Sequence, residues 1–158
     1  MLFLAGCRTT GNAMPQISRT ALVPYSAEQM YQLVNDVKSY PEFLPGCVGS
    51  RVLEASATQM TAAVEVSKAG ISKTFTTRNT LTSNQSILMH LVDGPFKRLM
   101  GGWKFTPLSP EACRIEFQLD FEFTSKLIEL AFGRVFKELA GSMVQAFSAR
   151  AKEVYSAS

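Results

Sequence analysis

The stretch Ile115–Phe123, IEFQLDFEF, alternates apolar and polar residues without interruption. This alternation predicts a half-buried antiparallel strand whose apolar side chains face the core. The segment that follows, Thr124–Tyr155, repeats apolar residues at helical spacing along one broad stripe. It predicts a single long C-terminal helix, capped by Thr124 or Ser125. A long amphipathic helix directly after an aromatic-lined strand favours a sheet that wraps around the helix.

Two features of this predicted helix depart from a simple amphipathic pattern. Gly133 and Gly141 interrupt it, each at a cost of roughly 1 kcal/mol relative to Ala, so the helix bends there or needs its backbone close to another group. Leu127 and Leu130 lie off the main apolar stripe. We expect a neighbouring loop to bury these leucines; an exposed patch for a partner or a membrane surface is the alternative.

The rest of the chain predicts one more helical region and a series of strands. Ser26 and Gln29 form a capping box that opens a helix, and the Pro-bounded segment Ser39–Pro45 predicts a turn or short helix. Strands are predicted at Ile17–Val23, Val48–Ala55, Gln59–Lys68, Ile71–Thr82, Ser86–Asp93, about Trp103–Leu108, and Cys113–Phe123. This order predicts an α+β fold in which a curved antiparallel sheet grips the long C-terminal helix.

Composition indicates a single globular domain. The chain has 158 residues, of which 46% are hydrophobic and 18% charged, with a formal net charge of +3. That charge is compatible with an RNA-rich partner but does not by itself indicate one, and no DNA partner is predicted. No apolar run is long enough to span a membrane. The odd number of cysteines, Cys7, Cys47 and Cys113, favours reduced thiols in a cytoplasmic protein over a disulfide framework or a zinc site.

The N-terminus has two interpretations. Leu4-Ala5-Gly6-Cys7 resembles a lipoprotein cleavage box, but no basic residue precedes it and the apolar stretch is short. We therefore interpret residues 1–13 as a disordered leader from an upstream start. A single domain would then occupy residues 14–158, beginning at Met14.

Several short motifs, in this order and spacing, resemble the START-like family of coenzyme Q-binding proteins and polyketide cyclases. The resemblance covers Pro15 to Tyr155. The motifs are Tyr25-Ser26-Ala27-Glu28, Val34-Asn35-Asp36-Val37, Tyr40-Pro41-Glu42-Phe43-Leu44-Pro45, Gly94-Pro95-Phe96, Gly102-Trp103-Lys104-Phe105, Met143-Val144, Ala146-Phe147 and Arg150-Ala151.

The resemblance implies a helix-grip fold with a hydrophobic groove under the last helix, and two functions. One, from a bacterial branch of the family, is a toxin that binds the large ribosomal subunit, prevents subunit association and inhibits translation initiation, with an antitoxin protein as a further partner. The alternative is a carrier or chaperone for a ubiquinone-like prenyl lipid in support of respiration. No cofactor is required in either case.

Alternation along the strands and helical spacing predict which residues line such a groove. For any one of them, plain core packing is the competing interpretation. Arg150 is the one charged candidate: it could reach a ligand head group, pair with an acid, or extend outward along its own stem, and we favour the latter two. The candidates are Tyr40, Phe43 and Leu44, which could form a lip, and Val66, Phe75, Met89, Trp103, Phe105, Phe117, Leu119, Phe136, Met143, Phe147 and Arg150.

A ribosome contact is predicted in a loop between Gly94 and Gly102. There Lys97 and Arg98 lie beside Phe96, a combination that suits phosphate and base contacts with RNA. Lys68, Lys73 and Arg78 would extend this basic patch. A solvated surface is the competing interpretation.

Catalysis is not predicted. His90 is the only histidine, and alternation directs it outward, where no nucleophile or metal-ligand arrangement can be built around it. The sequence contains no phosphate-binding glycine loop. We therefore expect a non-enzymatic protein.

Overall fold

A computed structural model describes residues 16–68 and 70–155. The N-terminal leader, the Cys7 cleavage box, Met14 and the side chain of Lys68 lie outside the described part. The elements are β1 (Gln16–Val23), α1 (Ala27–Asn35), a 3-10 helix (Val37–Glu42), β2 (Cys47–Ala55), β3 (Gln59–Lys68), β4 (Ile71–Thr82), β5 (Ser86–Asp93), β6 (Phe96–Ser109), β7 (Ala112–Phe123), α2 (Lys126–Gly141) and α3 (Met143–Tyr155).

All seven strands form one antiparallel sheet with the order β1-β7-β6-β5-β4-β3-β2. Strands β2 to β7 follow one another as a meander, and β1 pairs with β7, with Ile17 opposite Leu119. Register shifts interrupt the β2–β3, β4–β5 and β6–β7 ladders. Such irregularities bend strands, so they help to curve the sheet around the helices. The predicted α+β helix-grip architecture is confirmed.

The segment predicted to be one long C-terminal helix consists of two helices. The break is at Ser142, whose hydroxyl donates to the Leu139 carbonyl at 3.1 Å and so competes with the helical ladder. The preceding carbonyl of Gly141 accepts a hydrogen bond from Arg19 Nε at 3.2 Å. Glycine and serine at the break, together with an external donor for a freed carbonyl, explain why the helix ends there.

Strand β6 begins at Phe96, earlier than the predicted Trp103. Gly101 and Gly102, which resemble turn residues in the sequence, lie inside this strand. A Cβ at Gly101 would lie 2.1 Å from the Gln118 carbonyl oxygen, and one at Gly102 would lie 2.1 Å from the Ile87 carbonyl oxygen. Glycine is therefore required because the neighbouring backbones approach too closely for any side chain.

The helix starts follow the predicted capping chemistry. Gln29 N donates to Ser26 Oγ at 3.1 Å, and Ser26 N donates to Gln29 Oε1 at 2.9 Å, which completes the capping box of α1. Ser125 rather than Thr124 caps α2, by accepting from Ile128 N at 3.1 Å. In the described part of the chain, no helix is long and apolar enough to cross a membrane.

The core contains two aromatic clusters between the concave face of the sheet and the helices. At the end nearer the start of α2, the Phe136 ring lies 4.8 Å from Phe96 and 4.9 Å from Phe121, centroid to centroid. At the other end, the Phe147 ring lies 5.3 Å from Trp103 and 5.4 Å from Tyr40. These edge-to-face contacts fix both ends of the core.

Candidate functional site

A cavity of about 70 Å³ lies between the two aromatic clusters. Its apolar wall comes from α1, the 3-10 helix, the concave face of the sheet, and the end of α2 with Met143 of α3. Several of the apolar wall residues are only half-buried, and these mark the mouth of the cavity: Val64, Phe75, Met89 and Met143. A largely apolar wall with few polar groups is typical of a small-molecule site.

Most of the predicted groove residues line this cavity: Tyr40, Leu44, Phe75, Met89, Trp103, Phe117, Leu119, Phe136 and Met143. The remaining predicted residues, Phe43, Val66, Phe105, Phe147 and Arg150, do not. Phe147 packs behind Trp103 and Tyr40, whereas Phe105 stacks on the far side of Trp103 with its ring centroid 6.1 Å away. Alternation predicts which face of a strand is buried. It does not predict which part of that face borders the cavity and which part is filled by core packing.

Three polar side chains, Asn35, Thr77 and Asn79, also line the cavity, and none of them is among the predicted groove residues. Thr77 and Asn79 are only 7% and 6% exposed, and Thr77 Oγ1 donates to Asn79 Oδ1 at 2.8 Å. Asn35 ends α1, and its Oδ1 is buried and accepts no hydrogen bond within the described structure. The signal that points to β4 is the placement of Thr77 and Asn79 at inward positions between Phe75 and Leu81.

The predicted lip, Tyr40, Phe43 and Leu44, is fixed in place. The Tyr40 hydroxyl is buried and donates to the Val34 carbonyl. Burial raises the pKa of Tyr40 well above its usual value, and the nearby Cys47 and Asp36 add to that effect. Tyr40 is therefore neutral. Its side chain lines the cavity, and its hydroxyl holds the 3-10 helix against α1.

Arg150 lies outside the cavity wall and braces the lip from its outer side. Its Nη2 lies 2.8 Å from Glu42 Oε1, and its Nη1 lies 3.5 Å from Glu153 Oε1. The guanidinium carbon lies 4.9 Å from the centroid of the Phe43 ring, within the range of a cation–π contact. Of the two roles that the sequence favoured for Arg150, the geometry shows the structural ion pair.

The predicted basic loop is part of strand β6. Phe96 is buried and stacks on Phe123 with ring centroids 5.0 Å apart, so it is not available for stacking on a base. Lys97 and Arg98 are exposed, and both pair with Glu122, at 3.6 and 3.2 Å respectively. One carboxylate therefore offsets part of the positive charge at this position.

Two of the other basic residues predicted for the same patch, Lys73 and Arg78, cannot both extend it. Lys73 and Arg78 occupy opposite faces of β4, because the difference between their positions in the strand is odd. Lys126 does lie near Lys97: both line one shallow depression at the start of α2. The basic residue beside Lys97 therefore comes from α2, and Glu122 and Glu129 line the same depression.

The outward side of α2 is partly apolar. Leu127 is 73% exposed and Leu130 is 78% exposed, so the expectation that a loop buries them is wrong. Arg134 follows at helical spacing and Lys137 flanks it, and both are exposed. We call Leu127, Leu130, Arg134 and Lys137, together with Lys126, the outer face of α2.

Titratable groups are sparse in the cavity. Tyr40 is the one titratable side chain in the described wall, and His90 is exposed on the opposite face of the sheet. The described residues include no group of three or more His, Cys, Asp or Glu side chains that could hold a metal ion. Cys47 and Cys113 are buried free thiols, and burial raises the pKa of each.

The model of one protein family, polyketide cyclase / dehydrase and lipid transport, matches residues 23–148. The matched range runs from the end of β1 into α3 and includes the whole cavity wall. The chain belongs to this family. Family membership and the helix-grip fold, both predicted from the sequence, are thereby confirmed.

Within the family, the chain is 80% identical to the ribosome association toxin RatA of Escherichia coli (strain K12), over 99% of this chain and 99% of that protein. It is 30% identical to the mitochondrial coenzyme Q-binding protein COQ10 homolog B of Xenopus laevis, over 92% of this chain and 61% of that protein. The structure also resembles the Zhui aromatase/cyclase of Streptomyces sp. R1128, with a TM-score of 0.77 at 17% identity, covering 91% and 98% of the two chains. That last likeness concerns the fold alone.

Proposed function

We propose that this protein binds the large ribosomal subunit, prevents its joining to the small subunit, and so inhibits translation initiation without catalysing a reaction. The observation that carries the proposal is the 80% identity, over 99% of both chains, to a protein named ribosome association toxin. A toxin of this kind acts in the cytoplasm and implies an antitoxin protein as a second partner.

We assign the contact surface to the outer face of α2 together with Lys97 and Arg98. Exposed leucines of this size, grouped on one helix, favour a macromolecular contact over a solvated surface. The flanking cations suit phosphate groups of ribosomal RNA, and the leucines suit apolar surface beside them. This surface replaces the predicted glycine-flanked loop, while retaining its two basic residues.

Glu122 reduces the positive charge of this contact surface. It pairs with Lys97 and Arg98 at once, so it lowers the positive potential that a phosphate group would meet. Because the pairs are exposed, they contribute little to folding stability, and either cation can exchange its carboxylate for a phosphate. Glu122 thus weakens RNA binding without being needed for the fold.

The absence of catalysis is supported by the chemistry of the cavity. The cavity wall offers one tyrosine, two asparagines and a threonine as its polar side chains, and the tyrosine is held neutral by burial. General acid–base or nucleophilic catalysis near neutral pH needs groups of different ionisation behaviour. This set of polar groups supports a binding role for the cavity.

Light scattering of ribosome assembly tests the proposal. Purified full-length protein is incubated with large subunits, small subunits are added, and the joining of the two is followed. We expect fewer joined ribosomes as the protein concentration rises, and a larger effect after incubation with large than with small subunits. Unchanged joining at a large excess of protein would refute the proposal.

A second candidate function, binding of a small hydrophobic ligand, is favoured by the cavity. Core packing alone does not require buried polar side chains, yet the apolar wall of this cavity contains three. A relative at 30% identity is named for coenzyme Q binding. The volume of about 70 Å³ admits only part of a prenyl quinone, so the remainder would leave through the mouth. Organic extraction of gently purified protein should yield a bound lipid; an empty extract, with a cavity closed to a hydrophobic dye, would contradict this function.

A further inference from the structure

We propose that the cavity selects ligands that donate a hydrogen bond, such as a phenol or hydroquinone hydroxyl, over ligands of the same size that carry only acceptor oxygens. The inference rests on the second candidate function, that the cavity binds a ligand, and it adds the chemical class of that ligand. The observation that carries it is the unpartnered Oδ1 of Asn35, an acceptor buried in the cavity wall.

The position of Asn35 explains why this acceptor has no partner within the described structure. Asn35 is the last residue of α1, where the helix stops and the chain turns into the 3-10 helix. The neighbouring donor, the Tyr40 hydroxyl, is already committed to the Val34 carbonyl. The side chain therefore reaches the cavity with its carbonyl oxygen buried and unsatisfied, an arrangement that native proteins generally avoid.

Thr77 and Asn79 on β4 provide the complementary group. The Thr77 hydroxyl donates to Asn79 Oδ1 at 2.8 Å, which uses the acceptor of the Asn79 amide and leaves its Nδ2 as a donor. The wall thus offers an acceptor from Asn35 and a donor from Asn79. A hydroxyl both donates and accepts, so it can satisfy groups of both kinds, whereas a carbonyl or ether oxygen cannot donate to Asn35.

The expected discrimination follows from the cost of leaving a buried acceptor unpaired. A ligand with a donor can pair with Asn35 Oδ1, whereas a ligand without one leaves this buried acceptor unpaired, a difference of about tenfold in affinity or more. The flexible side chains of Met89 and Met143 allow the wall to adjust to a small ring. A quinone carbonyl is an acceptor only, so the preferred redox state of a quinone ligand would be the reduced hydroquinone.

Two isomers provide a direct test: 4-ethylphenol, which has a hydroxyl donor, and 4-methylanisole, which has the same atoms but no donor. Trp103 is the only tryptophan, is 1% exposed and lines the cavity, so its fluorescence reports binding there. Titration of the full chain with each compound should show 4-ethylphenol binding at least about tenfold more tightly. Replacing Asn35→Leu should bring the two affinities together, mainly by weakening 4-ethylphenol.

The titrations distinguish a loss of donor selection from a loss of ligand binding. Equal binding of both isomers to the unmodified protein, or tighter binding of 4-methylanisole, would overturn donor selection while leaving ligand binding intact. Failure of both isomers to change Trp103 fluorescence or to raise the unfolding temperature would overturn the ligand-binding function as well. Ala62→Leu, which fills part of the wall, is the control for location and should weaken both isomers alike. The comparison on the unmodified protein remains decisive even if Asn35→Leu does not fold.

Discussion

Arg150 Nη2, near the end of the last helix, lies 2.8 Å from Glu42 Oε1 at the end of the 3-10 helix, across 108 positions of sequence. The same guanidinium lies over the Phe43 ring at 4.9 Å. Through these two contacts α3 fixes the segment that carries Tyr40 and Leu44 into the cavity wall. The lip is therefore held by packing and charge together, and the two contributions can be separated by substitution.

The first prediction compares the two partners of this contact. Glu42 is largely exposed, so Glu42→Gln should lower the free energy of unfolding by less than about 1 kcal/mol. Arg150→Ala should cost more, because it also removes the apolar stem and the cation–π contact from Phe43. Urea unfolding measures both. Equal losses for the two variants would mean that the ion pair alone holds the lip.

The second prediction concerns alkaline pH. The pKa of buried Tyr40 is raised above its usual value of 10, so the folded state keeps its proton where the unfolded chain loses it. Stability is therefore fully present below about pH 10 and falls as the pH rises above that value. Tyr40→Phe should cost about 1 kcal/mol at neutral pH, because it removes the hydrogen bond to Val34.

The same variant should lose less stability than the unmodified protein between pH 9 and pH 11. The buried thiols of Cys47 and Cys113 also have raised pKa values and contribute a loss common to both proteins. The difference between the two stability curves isolates Tyr40. Parallel curves across this pH range would show that Tyr40 ionises as readily in the folded protein as in the unfolded chain.

The third prediction uses two glycines in different surroundings. A Cβ at Gly133 in α2 would meet its nearest neighbour, Glu129 Cγ, at 3.5 Å, which is ordinary contact. Gly133→Ala should therefore stabilise the protein, by up to about 1 kcal/mol, through helix propensity. Gly101→Ala should destabilise it by more than about 2 kcal/mol, because the new Cβ would lie 2.1 Å from the Gln118 carbonyl oxygen. Thermal unfolding distinguishes the signs; stabilisation by Gly101→Ala would contradict the close approach of β6 and β7.

The fourth prediction tests the leucines of the outer face of α2. Leu127→Ser with Leu130→Ser should weaken ribosome binding and leave the unfolding temperature nearly unchanged, because both side chains are exposed. Leu22→Ser is a matched control: Leu22 is 67% exposed but lies on β1. Binding is measured by pelleting with large subunits. If the control weakens binding as much as the double variant, the contact is not on α2.

The fifth prediction concerns charge at the same surface. Lys97→Glu with Arg98→Glu should weaken binding and flatten its salt dependence, by roughly one unit of log–log slope for each phosphate group that the variant no longer binds. Glu122→Gln should strengthen binding, since it releases both cations from their shared carboxylate. Lys104→Glu on β6 serves as the charge control. Unchanged binding by the Lys97 and Arg98 variant would remove these residues from the contact surface.

The sheet was predictable because its strands obey simple alternation. The bounds of β3, β4 and β5 agree with the predicted ranges, and β7 differs by a single residue. Strand β6 was predicted too short because Gly101 and Gly102 resemble a turn in sequence. Their actual role, to let backbones approach, depends on strands elsewhere in the chain and has no local signal.

The helices show a similar division between local and tertiary causes. The capping residues act locally: Ser26 was predicted, and Ser125 was one of the two predicted caps of α2. The break at Ser142 depends partly on Arg19, which is distant in sequence, and the exposure of Leu127 and Leu130 depends on where neighbouring loops run. Neither can be read from helical spacing.

For the candidate site, sequence reasoning placed the apolar wall but not its polar groups. Most of the predicted groove residues line the cavity, because alternation identifies the inward positions on the strands. Asn35 was missed because it lies at the end of a helix, where polar residues are ordinary. Asn79 carried a signal at an inward strand position, two residues after Thr77 on the same face of β4, where the two side chains pair.

The most direct test of the central claim is sedimentation of the purified full-length protein with separated ribosomal subunits, at low and at moderate salt. The proposed ribosome binding predicts that the protein moves with the large subunit, that the joined ribosome peak disappears when both subunits are present, and that moderate salt weakens the interaction. Protein that stays at the top of the gradient at both salt concentrations would contradict it.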